Sequence, residues 1–153
     1  MRLATILALG CLGLWFVTAS ASADDYAQWR GPRRDGVSLE KNIAAKWPVG
    51  GPKLLWQVKD AGYGHGSVSV AGDRLYVLSS TGKTDEYLQA RSSKDGKLLW
   101  QTRIGSVGNP EQQPNYPGAR STPTVVGTSV YALSSDGDLA CLDTVTGKVT
   151  WQK

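Results

Sequence analysis

The stretch "DGKLLWQT" at residues 95–102 decides the fold, because near-copies of it occur at two other places in the chain. "GPKLLWQV" occupies residues 51–58, and "TGKVTWQK" occupies residues 146–153. The tryptophans of the three octapeptides are separated by 44 and 51 residues. Repeats of this length are typical of propeller blades and long solenoid units.

The sequence between the octapeptides is also repeated. "SVSVAGDRLYVLSS" (67–80) aligns with "TPTVVGTSVYALSS" (122–135) at an offset of 55. "YLQARSSKDGKLLWQ" then aligns with "LACLDTVTGKVTWQ" at an offset of 51, because the first copy has four extra residues around "TGKTDE". We interpret the extra residues as a loop insertion within a tandem repeat.

The second copy contains four short segments in which apolar and polar residues alternate: "STPTVV", "SVYALS", "DLACLD" and "KVTWQK". This period of two is typical of half-buried strands, and the Asp136-Gly137 dipeptide is a strong hairpin signal. Four antiparallel strands of this total length correspond to one blade of a β-propeller. We therefore predict an all-β fold with blades at about 66–103 and 120–153, and an orphan outer strand at Trp56.

The residues before the repeats divide into two parts. The apolar run "LATILALGCLGLWFVTA" follows Arg2 and ends in small residues, which predicts a signal peptide at 1–23 and export to the periplasm or the cell exterior. Two alternatives are an uncleaved membrane anchor and lipidation at Cys11, whose preceding residues "ALG" fit a lipoprotein signal poorly. We expect no transmembrane span after cleavage, and an irregular lead-in at 24–52.

Charge and cysteine content exclude some functions. The net charge is +4, and loss of Arg2 with the signal peptide would lower it to +3. The densest basic cluster is Arg30, Arg33 and Arg34, so we expect no nucleic-acid partner. Only Cys141 remains after cleavage, and its place in an alternating segment predicts a buried small residue without a disulfide.

The segment "CLDTVTGKVTW" resembles the tryptophan-docking motif of quinoprotein-type, PQQ-like β-propellers. The start of the chain, "YAQWRGPRRDGVS" followed by "WPVGGPKLLWQV", is similar to secreted bacterial proteins with such repeats. These proteins share their fold with the outer-membrane assembly lipoprotein that uses the propeller as a scaffold. The resemblance implies docking positions at Cys141, Asp143, Thr146, Gly147, Lys148 and Trp151, at Ala90, Ser92, Asp95, Gly96, Lys97 and Trp100, and at Trp56; the first copy lacks the usual Asp and Thr.

The motif has a physical explanation. Glycines at 96 and 147 can take the positive φ that a tight turn needs. A tryptophan in the outer strand would lie over the glycine turn of the next blade and bury a large ring there. Asp143 can accept hydrogen bonds from the amides of its turn, as in Asx turns.

The number of blades is too small for a ring. We expect a partial propeller at 53–153, whereas closed rings contain about four to eight blades. One explanation is that the chain is an N-terminal fragment of a longer protein. The alternative is self-assembly of several copies into a ring.

The search for chemistry yields weak candidates, and we predict no catalytic, cofactor-binding or metal-binding residue. The loop "GNPEQQPN" (108–115) offers only Glu111 among neutral amides, which is too few oxygens for a hard cation. His65 and Arg120 align with each other at the start of an innermost strand, where they are weak ligand candidates at the inner funnel or simply polar residues at a channel mouth.

Two functions follow from the resemblance. The first is a non-catalytic exported propeller that serves as a binding or scaffold module for a protein or polymer partner. The alternative is the N-terminal part of a quinoprotein-like alcohol or sugar dehydrogenase whose catalytic blades are missing. Pyrroloquinoline quinone and calcium are expected only in that second case, and this chain by itself is not expected to be an enzyme.

Overall fold

The chain forms two antiparallel sheets of four strands each, and each sheet is a simple meander. The computed structural model describes residues 25–41, 43–109, 111 and 118–153. The expected signal peptide lies outside these residues. In the part of the chain that the structure describes, no helix has the length and hydrophobicity needed to span a membrane.

The first sheet is the first blade. Its strands are joined by tight turns, and the buried side chains alternate with partly exposed ones at the centre of the second strand. Gly72, with a φ of 58°, forms the first turn, a conformation that side chains with a Cβ rarely adopt. The strands are β1 (Ser69–Ala71), β2 (Arg74–Thr81), β3 (Asp85–Ser92) and β4 (Leu98–Ser106).

The extra residues of the first copy lengthen this blade. The loop interpretation of "TGKTDE" is only partly right, since Ser80 pairs with Glu86 and Thr81 pairs with Asp85. The ladder continues outward to a turn at Gly82, whose φ is 63°. Strands β2 and β3 therefore have eight residues each.

The second sheet is shorter. Its first strand begins after Pro123, which has no amide hydrogen to give to a ladder. The strands are β5 (Thr124–Val126), β6 (Ser129–Leu133), β7 (Leu139–Asp143) and β8 (Val149–Gln152). The octapeptide with Trp56 precedes both sheets and belongs to neither.

Buried apolar residues from both blades form a single core. Because each sheet buries one face against the other, the core lies along the seam between the blades. Its members are Tyr76, Leu78, Leu88, Ala90 and Ile104 from the first blade, Ala119 from the connection, and Val130, Ala132, Ala140 and Leu142 from the second blade.

The lead-in connects the innermost strands of the two blades, although its described residues, 25–41 and 43–52, form no strand. The Val70 amide donates to the Tyr26 carbonyl at 2.9 Å, and the Val125 amide donates to the Ala27 carbonyl at 2.8 Å. Two consecutive residues thus satisfy edge amides of β1 and β5. The lead-in is irregular in secondary structure but tied to both sheets.

A buried carboxylate spans the seam at the other end of the strands. Glu86 is fully buried, and its carboxylate accepts hydrogen bonds from the Ser135 amide at 3.1 Å and from the Ser135 hydroxyl. The Ser135 hydroxyl oxygen in turn accepts from the Gly108 amide at 2.9 Å. A buried charge is tolerated only where such donors replace water.

Replacing Glu86 with alanine should lower the free energy of unfolding by about 1–3 kcal/mol, because the partly buried amide and hydroxyl of Ser135 lose their acceptor. Urea denaturation followed by circular dichroism would measure the change. Glu111→Ala is the matched control, since that exposed carboxylate lies 3.8 Å from Lys83. The control should change stability by less than about 0.5 kcal/mol, and equal losses in both variants would contradict the role of Glu86.

Candidate functional site

Each blade has a glycine turn between its third and fourth strands. In the second blade, the Gly147 amide donates to the Asp143 carbonyl and the Asp143 amide donates to the Lys148 carbonyl, both at 2.9 Å. Gly147 has a φ of 70°. The first blade has the same two bonds at 2.9 Å, with Gly96, Ser92 and Lys97 in the corresponding places.

An indole ring covers each turn. A Cβ atom added to Gly96 would lie 2.8 Å from Cε3 of Trp56, and one added to Gly147 would lie 2.5 Å from Cδ2 of Trp100. Each ring therefore occupies space that only glycine leaves open. Two of the three octapeptides dock in this way, each on the turn of the blade that follows it in sequence.

The indole nitrogens dock with the same geometry at both seams. Nε1 of Trp56 donates to the Ser93 carbonyl at 3.1 Å, and Nε1 of Trp100 donates to the Thr144 carbonyl at 3.1 Å. Ser93 and Thr144 are equivalent at the repeat offset of 51. The ring is thus buried on one side and its single donor is satisfied.

A small residue below the tryptophan lets a tyrosine approach it. Tyr76, Ala90 and Trp100 are paired across three neighbouring strands, and the ring centroids of Tyr76 and Trp100 are 6.0 Å apart. A side chain much larger than alanine at this position would separate the rings. The second blade repeats this row with Tyr131, Cys141 and Trp151, at a centroid distance of 6.1 Å.

The acidic and hydroxyl residues of the motif stabilise the turn. Oδ1 of Asp143 accepts from the Thr146 hydroxyl and amide, both at 2.7 Å, and from the Val145 amide at 3.1 Å. The Thr146 hydroxyl and then its amide hold the pKa of Asp143 below its usual value. In the first blade the Ser92 hydroxyl and the Lys97 amide lower the pKa of Asp95.

The two motif lysines contribute main-chain groups to the turns, and Lys97 and Lys148 are both exposed. Cys141 is 3% exposed and has no disulfide. Trp151 is 39% exposed at the outer strand of the second blade. The motif residues therefore lie at the turns and blade faces, where they hold the repeat together.

The inner-funnel candidates lie on neighbouring segments. Gly64 forms a parallel bridge with Ala119, and the His65 amide donates to the Ala119 carbonyl at 2.7 Å. His65 and Arg120 each follow one of the two bridged residues, so they lie on adjacent parallel segments. Both residues are exposed. A ligand role for them stays a prediction.

No group of three or more histidine, cysteine, aspartate or glutamate side chains converges among the described residues. Calcium takes six to eight oxygen ligands, usually with several carboxylates. Glu111 faces Lys83, and the Glu86 carboxylate is occupied by Ser135. Among the described residues, these two carboxylates therefore already have other partners.

Several docking contacts have no side-chain signature in the sequence. The acceptors for the indole nitrogens are main-chain carbonyls, at Ser93 and Thr144. Thr102, two residues after the docking Trp100, also donates its hydroxyl hydrogen to the Gly147 carbonyl at 2.7 Å. Only the repeat offset indicates in advance that such positions are equivalent.

Gly147→Ala should lower the free energy of unfolding by about 2–4 kcal/mol, since it combines backbone strain at positive φ with overpacking against Trp100. Gly127→Ala is the control, because Gly127 has a φ of 57° but no atom within 4 Å of an added Cβ. The control should cost only about 1 kcal/mol. Urea unfolding measures both, and equal losses would show that the tryptophan contact contributes nothing.

The lowered pKa of Asp143 predicts a pH dependence. The unfolded carboxyl titrates near 3.8 and the folded one below it, so the unfolded state binds more protons in that interval. The stabilisation is complete above about pH 4 and is lost as the pH falls through the lowered pKa. Asp143→Asn keeps the acceptor oxygen and does not titrate, so urea stability should depend less on pH between about 4 and 2. Parallel curves for variant and parent would contradict this.

Comparisons with known proteins support the same fold. Among curated proteins, outer membrane protein assembly factor BamB of Moranella endobia (strain PCIT) is 38% identical over 58 residues. BamB of Salmonella typhimurium (strain LT2) is 33% identical over 60 residues. These matches cover 38% and 39% of this chain, and 15% of the length of each relative.

Two solved structures are also similar. The BamB structure from Moraxella catarrhalis has a TM-score of 0.49 at 18% identity, covering 65% of this chain and 27% of that one. A europium-containing methanol dehydrogenase has a TM-score of 0.41 at 20% identity, covering 56% and 15%.

The match to a family is broader than the match to any of these proteins. Residues 49–153 fit the PQQ_2 family, which is described as outer membrane protein assembly factor BamB. The prediction of an all-β, incomplete PQQ-like propeller is confirmed by this match and by the two four-stranded sheets. Because this match extends over more than half of the chain, the chain belongs to the BamB-like family of PQQ-type β-propeller repeat proteins.

Proposed function

We propose that this chain is part of an exported, non-catalytic β-propeller that binds another protein as a scaffold. Its family is that of an outer membrane protein assembly factor, which supports a protein partner. The match covers 15% of the length of each of these curated relatives, so the role of those proteins as a whole is carried over only as a proposal. Export to the periplasm is part of the proposal.

The main observation behind the proposal is that the polar groups of the repeat form hydrogen bonds within the turns and between the blades. The Asp143 carboxylate and the Thr146 hydroxyl bond within their own turn. The indole nitrogen of Trp100 and the hydroxyl of Thr102 bond to main-chain carbonyls of the second blade. Groups committed to such contacts stiffen the repeat, and a stiff repeat is what a scaffold must provide.

Self-assembly belongs to the same proposal as a second type of partner. Several copies could complete a ring by joining their open blade faces, as heterologous contacts that close on rotation do. Light scattering on the purified exported chain distinguishes the cases by molar mass. A discrete multiple of the monomer supports assembly of copies, whereas a monomer directs the search to a different protein.

The function is tested by deleting the gene in its source bacterium and measuring folded outer-membrane proteins by their heat-modifiable mobility on gels. We expect a loss that the parent gene restores. Gly147→Ala should restore less than Gly127→Ala, because the first substitution disturbs a docked tryptophan and the second does not. Mass spectrometry of the exported product should give a chain beginning at Asp24.

Other outcomes would overturn the proposal. Unchanged outer-membrane proteins together with loss of quinone-dependent alcohol or sugar oxidation would favour the dehydrogenase alternative. Retention of residues 1–23 in the purified product would refute cleavage of a signal peptide. Equal complementation by both glycine variants would separate the function from the docking seam.

A further inference from the structure

The two octapeptides that dock on glycine turns share five consecutive residues. "KLLWQ" occurs at 53–57 and again at 97–101. Each copy places its tryptophan on a glycine turn with the indole nitrogen 3.1 Å from an equivalent carbonyl. The pentapeptide therefore cannot determine which segment docks on which blade.

The residues after the first tryptophan meet a polar surface. Arg91 of β3 is 3% exposed, and its guanidinium lies 3.1 Å from Oδ1 of Asp60 and donates to the Asp60 carbonyl at 3.2 Å. Gln89 donates to the Ala61 carbonyl at 3.2 Å and accepts from Nε of Arg91 at 2.8 Å. Asp60 stands four residues after Trp56 and contacts the guanidinium through both its side chain and its main chain.

The residues after the second tryptophan meet an apolar surface. Ile104, four residues after Trp100, is fully buried in the core. The same cluster contains Ala140 and Leu142, which correspond to the polar pair of the first blade at the repeat offset of 51. The two seams thus share one tryptophan contact and differ in the chemistry that follows it.

We propose that the residue four positions after each docking tryptophan determines which blade the segment fits. The surface formed by Gln89 and Arg91 accepts an outer segment that carries aspartate there, and the surface formed by Ala140 and Leu142 accepts isoleucine. Exchange of the segments would leave a buried guanidinium without its carboxylate at one seam. At the other seam it would bury a carboxylate among apolar side chains. Specificity then comes from the cost of the wrong pairing.

The test uses hydrogen exchange of the Trp56 indole N–H, measured by NMR on the full chain. Asp60→Ile should lower its protection by at least about three-fold, because the buried guanidinium loses its ion pair. The Asp60 side chain is 72% exposed, so this variant should fold. The double variant Asp60→Ile with Arg91→Leu reproduces the apolar chemistry of the second seam and should regain most of the protection.

Asp73→Asn is the matched control, because it removes an exposed carboxylate that lies 3.0 Å from Arg74 on the same blade. It should leave Trp56 protection unchanged. Parental protection in Asp60→Ile, or a double variant no better protected than that single variant, would overturn the proposal. If Arg91→Leu prevents folding, Asp60→Asn decides the matter, since it removes the charge and should also lower protection.

Discussion

The contact between a tryptophan ring and a glycine turn is the interaction on which the other features of the structure depend. A four-stranded blade has two faces and cannot bury either by itself, so it needs a neighbour. The ring of Trp100 supplies a large apolar area, and the Thr144 carbonyl satisfies its only donor. Since a side chain at Gly147 would overlap the ring, the turn and the tryptophan specify each other.

Around this contact the two seams differ, and the difference explains how a repetitive chain keeps its order. Repeat proteins are prone to pairing errors because their units are alike. Here the first seam is held by the Arg91–Asp60 pair and the second by Ile104 in the core. The buried Glu86 carboxylate adds a second polar contact between the blades through Ser135. The described strands of the shorter second blade contain no equivalent of Glu86. Buried polar contacts of this kind add little net stability, but they penalise wrong partners.

The partners of the polar side chains also bear on function. A propeller repeat can carry a catalytic site, a binding surface or neither, so the fold alone does not choose. The motif carboxylate of Asp143 and the hydroxyl of Thr146 are committed to their turn, and the lead-in carbonyls of Tyr26 and Ala27 are committed to the inner strands. Polar groups used in this way hold the turns and blades in place, which agrees with the proposed scaffold.

The sequence by itself determined the repeat, the blade as a four-stranded unit and the family, because the period of two, the glycine turns and the tryptophan spacing are local properties of the chain. Only the tertiary structure decided what was non-local. In the tertiary structure the extra residues around Gly82 extend two strands, and the lead-in forms hydrogen bonds with both blades. The tertiary structure also gave Glu86 and Arg91 their buried partners. Such contacts join residues that are far apart in sequence, often through main-chain carbonyls, and a carbonyl is present at every position whatever the side chain.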